Sequence, residues 1–218
     1  KSKIFITNLW SSELSKLTAN AFLAQRISSI NAISSLCEPT GADIKEVAKA
    51  IDADSRIGDK FLNAGPGFGG SCFQKDLLNI VYLCRYYGLE EVANYWEQVI
   101  ILNEWQKKRI SKIIIETFYG TVTSKKIVLL GFAFKSNTND TRESPAISIA
   151  LDLLENGANL VINDPQVSES KISYALKENN FKIEKQYYEG NWKYIKNLDS
   201  AFNNADAVVI LTEWEEYL

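Results

Sequence analysis

The sequence predicts an α/β protein in which an all-α helical domain precedes a Rossmann-like, doubly wound parallel sheet that is incomplete. Two observations predict this class. From Ser11 to about Tyr119, apolar residues recur at three- and four-residue steps, which is the period of helices. After Gly120, apolar runs of strand length alternate with amphipathic segments, as in parallel sheets. We therefore expect a central helical domain at residues 1–120 and a sheet domain, cut short, at residues 121–218.

Four helices are predicted in the first domain. The first carries an apolar stripe, can be capped by Ser11 or Ser12, and ends at Pro39 and Gly41. The other three run from Asp43 to about Ile51, from Cys72 to about Tyr87, and from about Glu91 to Phe118. Helices that are long and apolar on more than one side usually pack in a bundle or against a second subunit.

Three strands are predicted in the second domain, and ligands of such sheets bind at the carboxyl ends of the strands. The turn after the first strand, Gly131–Lys135, is not GxGxxG, so it predicts dinucleotide binding only weakly. Asp164 ends the second strand, and at this position before a proline its role as a turn-forming residue is favoured over a role as a ribose ligand. The polar segment 168–199 is not assigned. The strands are Lys126–Gly131, Asn159–Asn163 and Ala207–Leu211, with a helix from Ser144 to Asn156.

The composition is that of an ordinary soluble globular protein, with 46% hydrophobic and 23% charged residues in 218. A net charge of −3 gives no reason to expect a nucleic acid or an anionic membrane as partner. No stretch approaches the roughly 18 apolar residues of a membrane span, and the start of the chain lacks a signal-peptide pattern. The three cysteines have no metal-ligand spacing, so we expect free thiols, a cytoplasmic location and no metal site.

The chain contains no histidine. This excludes Ser-His-Asp and Cys-His catalysis within the chain. Proton transfer must therefore use Lys, Asp, Glu, Tyr or water, and a nucleophile must be activated by its electrostatic setting.

The stretch Gly65–Asp76 is the most informative local feature. Its glycines allow positive φ and a close approach of the backbone to a ligand. Ser71 and Gln74 have the spacing of a capping box, which predicts Ser71 as N-cap and Cys72 as the first helical residue. The helix N-terminus favours a thiolate or a bound anion. The alternative is a capping loop beside a small buried cysteine.

Two further helix faces carry candidate chemistry. Lys16 and Asn20 lie one turn apart on the first helix, where they line either a cleft or a solvated stripe. Asp76 lies one turn after Cys72, where a carboxylate can orient or deprotonate a water. Arg56 is compatible with a surface ion pair and with an anion anchor. Cys37 and Cys84 are predicted to be inert core residues.

Several long motifs resemble the UDP-glucose/GDP-mannose dehydrogenase family, and especially its eukaryotic members that oxidise UDP-glucose. The resemblance runs over nearly the whole chain and is weakest from Ser168 to Asp199. The motifs are WSSELSKL at 10–17, NAFLAQRIS at 20–28, GFGGSCFQKD at 67–76, LGFAFK at 130–135 and DTRES at 140–144.

The resemblance implies an activity: oxidation of UDP-glucose to UDP-glucuronate in two hydride transfers to NAD+. Cys72 is then the nucleophile that forms a thiohemiacetal and a thioester. Lys16 stabilises oxyanions and transfers protons, Asn20 helps to hold the substrate, and Asp76 handles the hydrolytic water. The sheet domain is then the UDP-binding domain.

The resemblance also implies binding residues. Arg56 reaches the substrate of a neighbouring subunit, and Cys72, Lys75 and Arg142 contact the cofactor. Asn63 stands where we expect lysine in animal homologues. The implied substrate-binding segments are Asn63, Ala64, Gly65, Pro66, Gly67, Phe68 and Gly69, together with Phe134 and Lys135.

One departure from the family is large. The family begins with an NAD-binding domain that carries GxGxxG after a strand and a catalytic glutamate, and no counterpart of that domain is found in these 218 residues. We therefore expect the chain alone to be inactive. From its long helices we also expect a homodimer or a higher oligomer. Two alternatives remain: a related dehydrogenase of GDP-mannose or UDP-N-acetylmannosamine, and a non-catalytic oligomerisation core.

Overall fold

The computed structural model describes residues 4–182 and 190–217. Within them helices come first, and a parallel sheet with its own helices follows, which confirms the predicted α/β class. The helices are α1 (Leu9–Thr40), α2 (Ile44–Asp52), α3 (Phe73–Tyr86), α4 (Glu90–Thr117), α5 (Pro145–Glu155), α6 (Glu169–Lys182), α7 (Leu198–Phe202) and a 3₁₀ helix (Glu215–Tyr217). The strands are β1 (Lys126–Leu130), β2 (Asn159–Asn163), β3 (Asn191–Tyr194) and β4 (Ala207–Ile210).

The chain divides into two compact units. The first comprises residues 1–64 and 71–103, and the second comprises residues 65–70 and 104–218. The glycine-rich loop 65–70 therefore belongs to the unit that contains the sheet, although the cysteine two residues later belongs to the helical unit.

Helix α1 packs with the predicted stripe: Leu17, Ala21 and Ala24 are buried. Its start differs from the prediction, because the N-cap is Asn8, whose Oδ1 accepts a hydrogen bond from Ser11 N at 2.8 Å. The predicted caps Ser11 and Ser12 already lie inside the helix, where a side chain no longer faces the free amides of the first turn. The predicted end is confirmed at Gly41, which lies in the left-handed region at φ 73°, whereas Pro39 lies inside the last turn of the helix.

Helix α3 also starts later than predicted. Its N-cap is Cys72, and no side chain caps it. The predicted capping box of Ser71 and Gln74 is wrong, because Gln74 is then the second helical residue rather than the third and cannot form the reciprocal pair. The Ser71 hydroxyl lies 3.8 Å from the Cys72 sulfur instead.

The sheet has the order β3-β2-β1-β4 with every pair parallel. Alternate residues of β1 point to opposite faces. Ile127 and Leu129 belong to the core that includes α5 and α6, whereas Val128 and Leu130 pack with Ala201 of α7. Helices therefore cover both faces, and the crossover to β4 on the far side of β1 confirms the doubly wound topology.

The segment 168–199, which the sequence analysis left unassigned, contains α6, β3 and the start of α7. Residues 183–189 lie outside the described residues. The sheet is four-stranded because β3 pairs with β2, and β3 was not predicted because Asn191–Tyr194 is short and polar at alternate positions. Among residues 4–182 and 190–217, no helix has the length and hydrophobicity needed to cross a membrane.

Candidate functional site

Three of the predicted catalytic residues come together in the helical unit. Lys16 and Asn20 lie one turn apart on α1, and Asp76 lies in the first turn of α3. The Asp76 carboxylate accepts a hydrogen bond from Asn20 Nδ2 at 2.5 Å and lies 3.4 Å from Lys16 Nζ. Its side chain is only 10% exposed, whereas that of Lys16 is 66% exposed. The cluster thus combines a buried, oriented carboxylate with an ammonium group that is open to a ligand.

Cys72 is exposed and free, and it lies directly before the first residue of α3. Its carbonyl oxygen accepts the hydrogen bond of Asp76 N at 2.9 Å, which closes the first turn of the helix. No side chain caps this end of the helix, and a helix N-terminus is the end that carries the positive pole of the dipole. The other cysteines are less accessible: Cys37 is buried and Cys84 is half-buried. The alternative of a small buried cysteine therefore does not apply to Cys72.

Arg56 forms an exposed ion pair in the turn after α2. Its Nη2 lies 2.5 Å from Asp54 Oδ2, and its Nε donates to Asp54 Oδ1 at 2.9 Å. The hydrogen bond from Arg56 holds the pKa of Asp54 below its ordinary value. The surface ion pair is therefore present, and the Arg56 side chain is 88% exposed. The role of an anion anchor stays a prediction.

The loop 65–70 is anchored at both ends within the sheet unit. Gln106 Nε2 of α4 donates to the carbonyl oxygen of Gly65 at 2.9 Å, and Gly70 N donates to the carbonyl oxygen of Arg142 at 2.8 Å. A Cβ at Gly69 would lie 2.4 Å from the carbonyl oxygen of Glu143, so only glycine fits there. The loop thus approaches the chain's own backbone closely, and its approach to a ligand stays a prediction.

Phe134, a predicted substrate-binding residue, contacts this same loop. Its ring carbons lie 3.0–3.2 Å from where a Cβ of Gly70 would stand, and Gly70 has φ +83°. Two predicted substrate-binding segments that are far apart in sequence are therefore one packed surface. Lys135 extends from the same turn, with its Nζ 5.6 Å from the centre of the Phe134 ring.

Arg142, predicted to contact the cofactor, forms an ion pair with Asp140. Its Nη2 lies 2.6 Å from Asp140 Oδ2, and its side chain is 69% exposed. The hydrogen bond from Arg142 holds the pKa of Asp140 below its ordinary value, against the opposing effect of burial. Lys75, the other predicted cofactor contact, is exposed in the first turn of α3. Asn63 is exposed, and Ala64 and Pro66 are half-buried.

The turn after β1 is closed to a ligand by Asp164. This carboxylate is 1% exposed, and its Oδ2 accepts hydrogen bonds from Phe132 N at 2.7 Å and Ala133 N at 3.0 Å. Such amides bind phosphate in dinucleotide-binding sheets. The remaining donors are Trp214 Nε1 at 3.3 Å and the amides of Gln166 and Val167 at 2.8 Å. Asp164 is therefore the turn former that the sequence favoured, and it also bonds the neighbouring strand end.

Sequence reasoning missed Gln106. A signal was present in the sequence, since Asn103, Gln106, Lys107 and Ser111 are polar residues at helical spacing. In the structure all four are buried. A polar stripe on an otherwise apolar face indicates specific hydrogen bonds. Among the described residues, no group of three or more His, Cys, Asp or Glu side chains forms a metal site.

Comparison with known proteins identifies the class. The family model for the central domain of the UDP-glucose/GDP-mannose dehydrogenase family matches residues 10–105, and that for its UDP-binding domain matches residues 128–218. The chain belongs to this family, as the motifs predicted.

Individual relatives narrow the resemblance. The chain is 53% identical over 223 residues to the UDP-glucose 6-dehydrogenase of Drosophila melanogaster and 55% identical over 217 residues to that of Bos taurus. These matches cover 100% of the chain but only 46% and 44% of the two relatives. The chain thus spans about half the length of the relatives that it matches.

Solved structures agree. A UDP-glucose dehydrogenase from Pyrobaculum islandicum superposes with a TM-score of 0.78 at 32% identity, over 95% of this chain and 44% of that one. A UDP-D-ManNAc dehydrogenase from Pyrococcus horikoshii superposes with a TM-score of 0.75 at 24% identity, over 100% of this chain and 45% of that one, which shows the shared fold.

Proposed function

We propose that the chain is the part of a UDP-glucose 6-dehydrogenase that carries its catalytic cysteine and its UDP-binding domain. Residues 1–120 are the central helical domain, and residues 121–218 are the UDP-binding domain. The observation that carries the proposal is the pairing of Lys16 and Asn20 with Asp76, in the same unit as the exposed Cys72. The identity of 53–55% to proteins of that name favours UDP-glucose over GDP-mannose or UDP-N-acetylmannosamine.

The cofactor of this reaction is NAD+, which accepts a hydride in each of two oxidations. Lys75 and Arg142 offer exposed cationic groups that fit the phosphates of a dinucleotide. They are contacts at the edge of the cofactor. The rest of the cofactor would bind to a further domain.

Cys72 is the nucleophile of the proposal. Its sulfur adds to the carbonyl carbon of the C6 aldehyde, a new S–C bond forms, and the carbonyl oxygen becomes an oxyanion. The Lys16 ammonium group, exposed beside Asp76, stabilises that oxyanion and supplies the proton that makes it a hydroxyl. Asn20 holds the carboxylate of Asp76 and offers an amide to the sugar.

Hydrolysis completes the sequence once C6 has reached the oxidation level of a thioester. Asp76 orients a water and takes its proton as the water oxygen bonds to C6. The S–C bond then breaks, which returns Cys72 as thiolate and leaves the sugar as a carboxylic acid that loses its proton to solvent to become a carboxylate. Two observations support this role: Asp76 is buried, and Lys16 and Asn20 of α1 both bond to it. A base must be held in one orientation.

The substrate-binding surface of the proposal is the loop 65–69 with Phe134 and Lys135. The packing of Gly69 and Gly70 against Phe134 supports the assignment of both segments to one surface. Arg56 would serve a neighbouring subunit, and its 88% exposed guanidinium supports that role.

The proposal includes a homo-oligomer in the cytoplasm. Free cysteines suit a reducing compartment. The helical unit leaves several large apolar side chains open, including Phe22 (53% exposed), Tyr82 (65%), Tyr86 (70%) and Tyr95 (51%). Exposed apolar surface of this kind marks an interface. Sedimentation of the protein at micromolar concentration should give a dimer or larger species, and a monomer would contradict this part.

The catalytic proposal is tested with Cys72→Ala in the full-length protein. We expect UDP-glucuronate formation to be lost while UDP binding is retained, because the thiol makes the only covalent bond between the protein and the sugar in this scheme. Cys84→Ala is the matched control and should keep its activity. Full turnover by Cys72→Ala would overturn the proposal.

A further inference from the structure

We propose that Gln106 of α4 is the positioning residue of the loop 65–70, and that it thereby sets the affinity for the UDP-sugar. The inference rests on the proposed function, in which this loop binds the substrate. Gln106 is not part of any of the motifs that the sequence analysis identified.

The first support is a contact between residues 41 positions apart. Gln106 is 3% exposed, and its Nε2 donates to the carbonyl oxygen of Gly65 at 2.9 Å. Both residues belong to the sheet unit. A donor on a rigid helix that reaches the backbone of a loop fixes the loop at that point.

The second support is the unequal packing of the two ends of the loop. At Gly69 and Gly70, neighbouring atoms stand so close that a Cβ would collide with Glu143 or Phe134. At Gly65, no atom lies within 4 Å of where a Cβ would stand. Close packing against Glu143 and Phe134 thus helps to hold the end of the loop, and the hydrogen bond from Gln106 helps to hold its beginning.

The third support is that the amide of Gln106 is only partly satisfied. Its Oε1 is buried and has no hydrogen-bond partner among the described residues. A buried amide in this state contributes little to stability compared with an apolar side chain of similar size, because its unpaired oxygen has lost its water. The hydrogen bond to Gly65 is therefore its main effect, and removing it should alter the loop more than the fold.

The test measures binding and stability separately in the full-length enzyme. Gln106→Leu should raise the KM for UDP-glucose and the Kd of UDP by about fivefold, the usual value of one hydrogen bond. It should leave kcat within about twofold and should not lower the melting temperature. Gln106→Glu keeps the size of the side chain but turns an oxygen toward the Gly65 carbonyl, so it should raise the KM at neutral pH as well.

Ser111→Ala is the matched control. Ser111 lies on the same helix, is 3% exposed, and donates from Oγ to Asp152 Oδ2 at 2.7 Å. Its loss should lower the melting temperature without changing the KM. A purely structural role for Gln106 predicts the same pattern for Gln106→Leu, and that result would overturn the inference.

The outcomes separate this inference from the function on which it rests. If the wild-type protein neither binds UDP nor oxidises UDP-glucose, both fail. If it does both, and Gln106→Leu and Gln106→Glu bind UDP as tightly as the wild type, only the positioning role fails. If Gln106→Leu does not fold, its loss of stability contradicts the third support, and the KM of Gln106→Glu decides the matter.

Discussion

Asp76 receives hydrogen bonds from α1 although it lies in the first turn of α3. The N-terminus of a helix favours a carboxylate, so the dipole and the Lys16 ammonium act in the same direction on its charge. Asn20 fixes its orientation through a neutral donor. Charge and orientation are thus controlled by different residues, which allows them to be separated by mutation.

Replacing Asp76 by Asn tests the proposed role in hydrolysis. We expect turnover to fall by about 10²–10³-fold, because the amide cannot take a proton from water. The covalent sugar adduct on Cys72 should then accumulate and be visible by intact-protein mass spectrometry. Asp199→Asn removes an exposed carboxylate outside the proposed site and should do neither. Slow turnover without a covalent adduct would mean that Asp76 acts in a step before hydrolysis, which would contradict the proposed role.

The buried carboxylate of Asp164 has a structural role. Asp164→Asn replaces one accepting oxygen by an amide that faces the N–H groups of Phe132 and Ala133. We expect a loss of roughly 3 kcal/mol in the free energy of unfolding, because buried donors lose their partner. Chemical denaturation measures it. An unchanged midpoint would mean that the carboxylate is not needed to close the turn.

At the scale of elements, the loop 65–70 and the connection between β1 and α5 (residues 131–144) stabilise each other. Gly69→Ala should cost about 1–3 kcal/mol of stability, since its Cβ would stand 2.4 Å from the Glu143 carbonyl oxygen. Gly65→Ala, with open space around it, should change stability by no more than about 0.5 kcal/mol. Thermal melting of both variants compares them. Equal losses would mean that the loop is not packed against the turn.

The stability of the connection between β1 and α5 should also depend on pH, through Asp140. Its folded-state pKa lies below the ordinary value of 3.8 because Arg142 donates to it. A depressed pKa gives stability that is present above the unfolded-state value and is lost as the pH falls through the folded value. The melting temperature of Asp140→Asn should therefore be lower than that of the wild type at pH 5–7, and the difference should shrink below about pH 4.

The comparison for this pH effect is Asp54→Asn. Asp54 pairs with Arg56 in the same i, i+2 arrangement but is more exposed, so its difference from the wild type should be smaller. A deficit of Asp140→Asn that persists unchanged to pH 3 would show that the pair does not stabilise the turn through charge.

At the scale of the whole molecule, the proposed chemistry needs a hydride acceptor that these residues do not hold by themselves. Incubation of the 218-residue chain with UDP-glucose and NAD+ should give no NADH above background, because the chain spans 46% of the Drosophila melanogaster relative and we propose that most of the NAD+ binds to a further domain. The full-length protein under the same conditions is the positive control. Absorbance at the NADH band measures both, and turnover by the chain alone would contradict the expectation.

Much of the architecture was predictable because it depends on local periodicity. The stripe of α1 and the apolar runs of β1 and β2 place these elements within a few residues of their observed bounds. The helix starts were less predictable. Asn8 rather than Ser11 or Ser12 caps α1, and Cys72 rather than Ser71 caps α3, because several residues nearby have side chains able to cap and backbone geometry selects among them.

The sequence by itself determined the family, the order of helices and strands, and the residue types available for chemistry: one cysteine at a helix start, a lysine and an asparagine one turn apart, and no histidine. The tertiary structure decided which groups meet. It bonded Asp76 to α1, gave Asp164 the amides that a ligand would take, packed Phe134 on the glycine loop, and brought Gln106 to Gly65. The hydrogen bonds among these contacts join residues 31 to 60 positions apart. No local pattern encodes them, because they arise only when separate elements pack together.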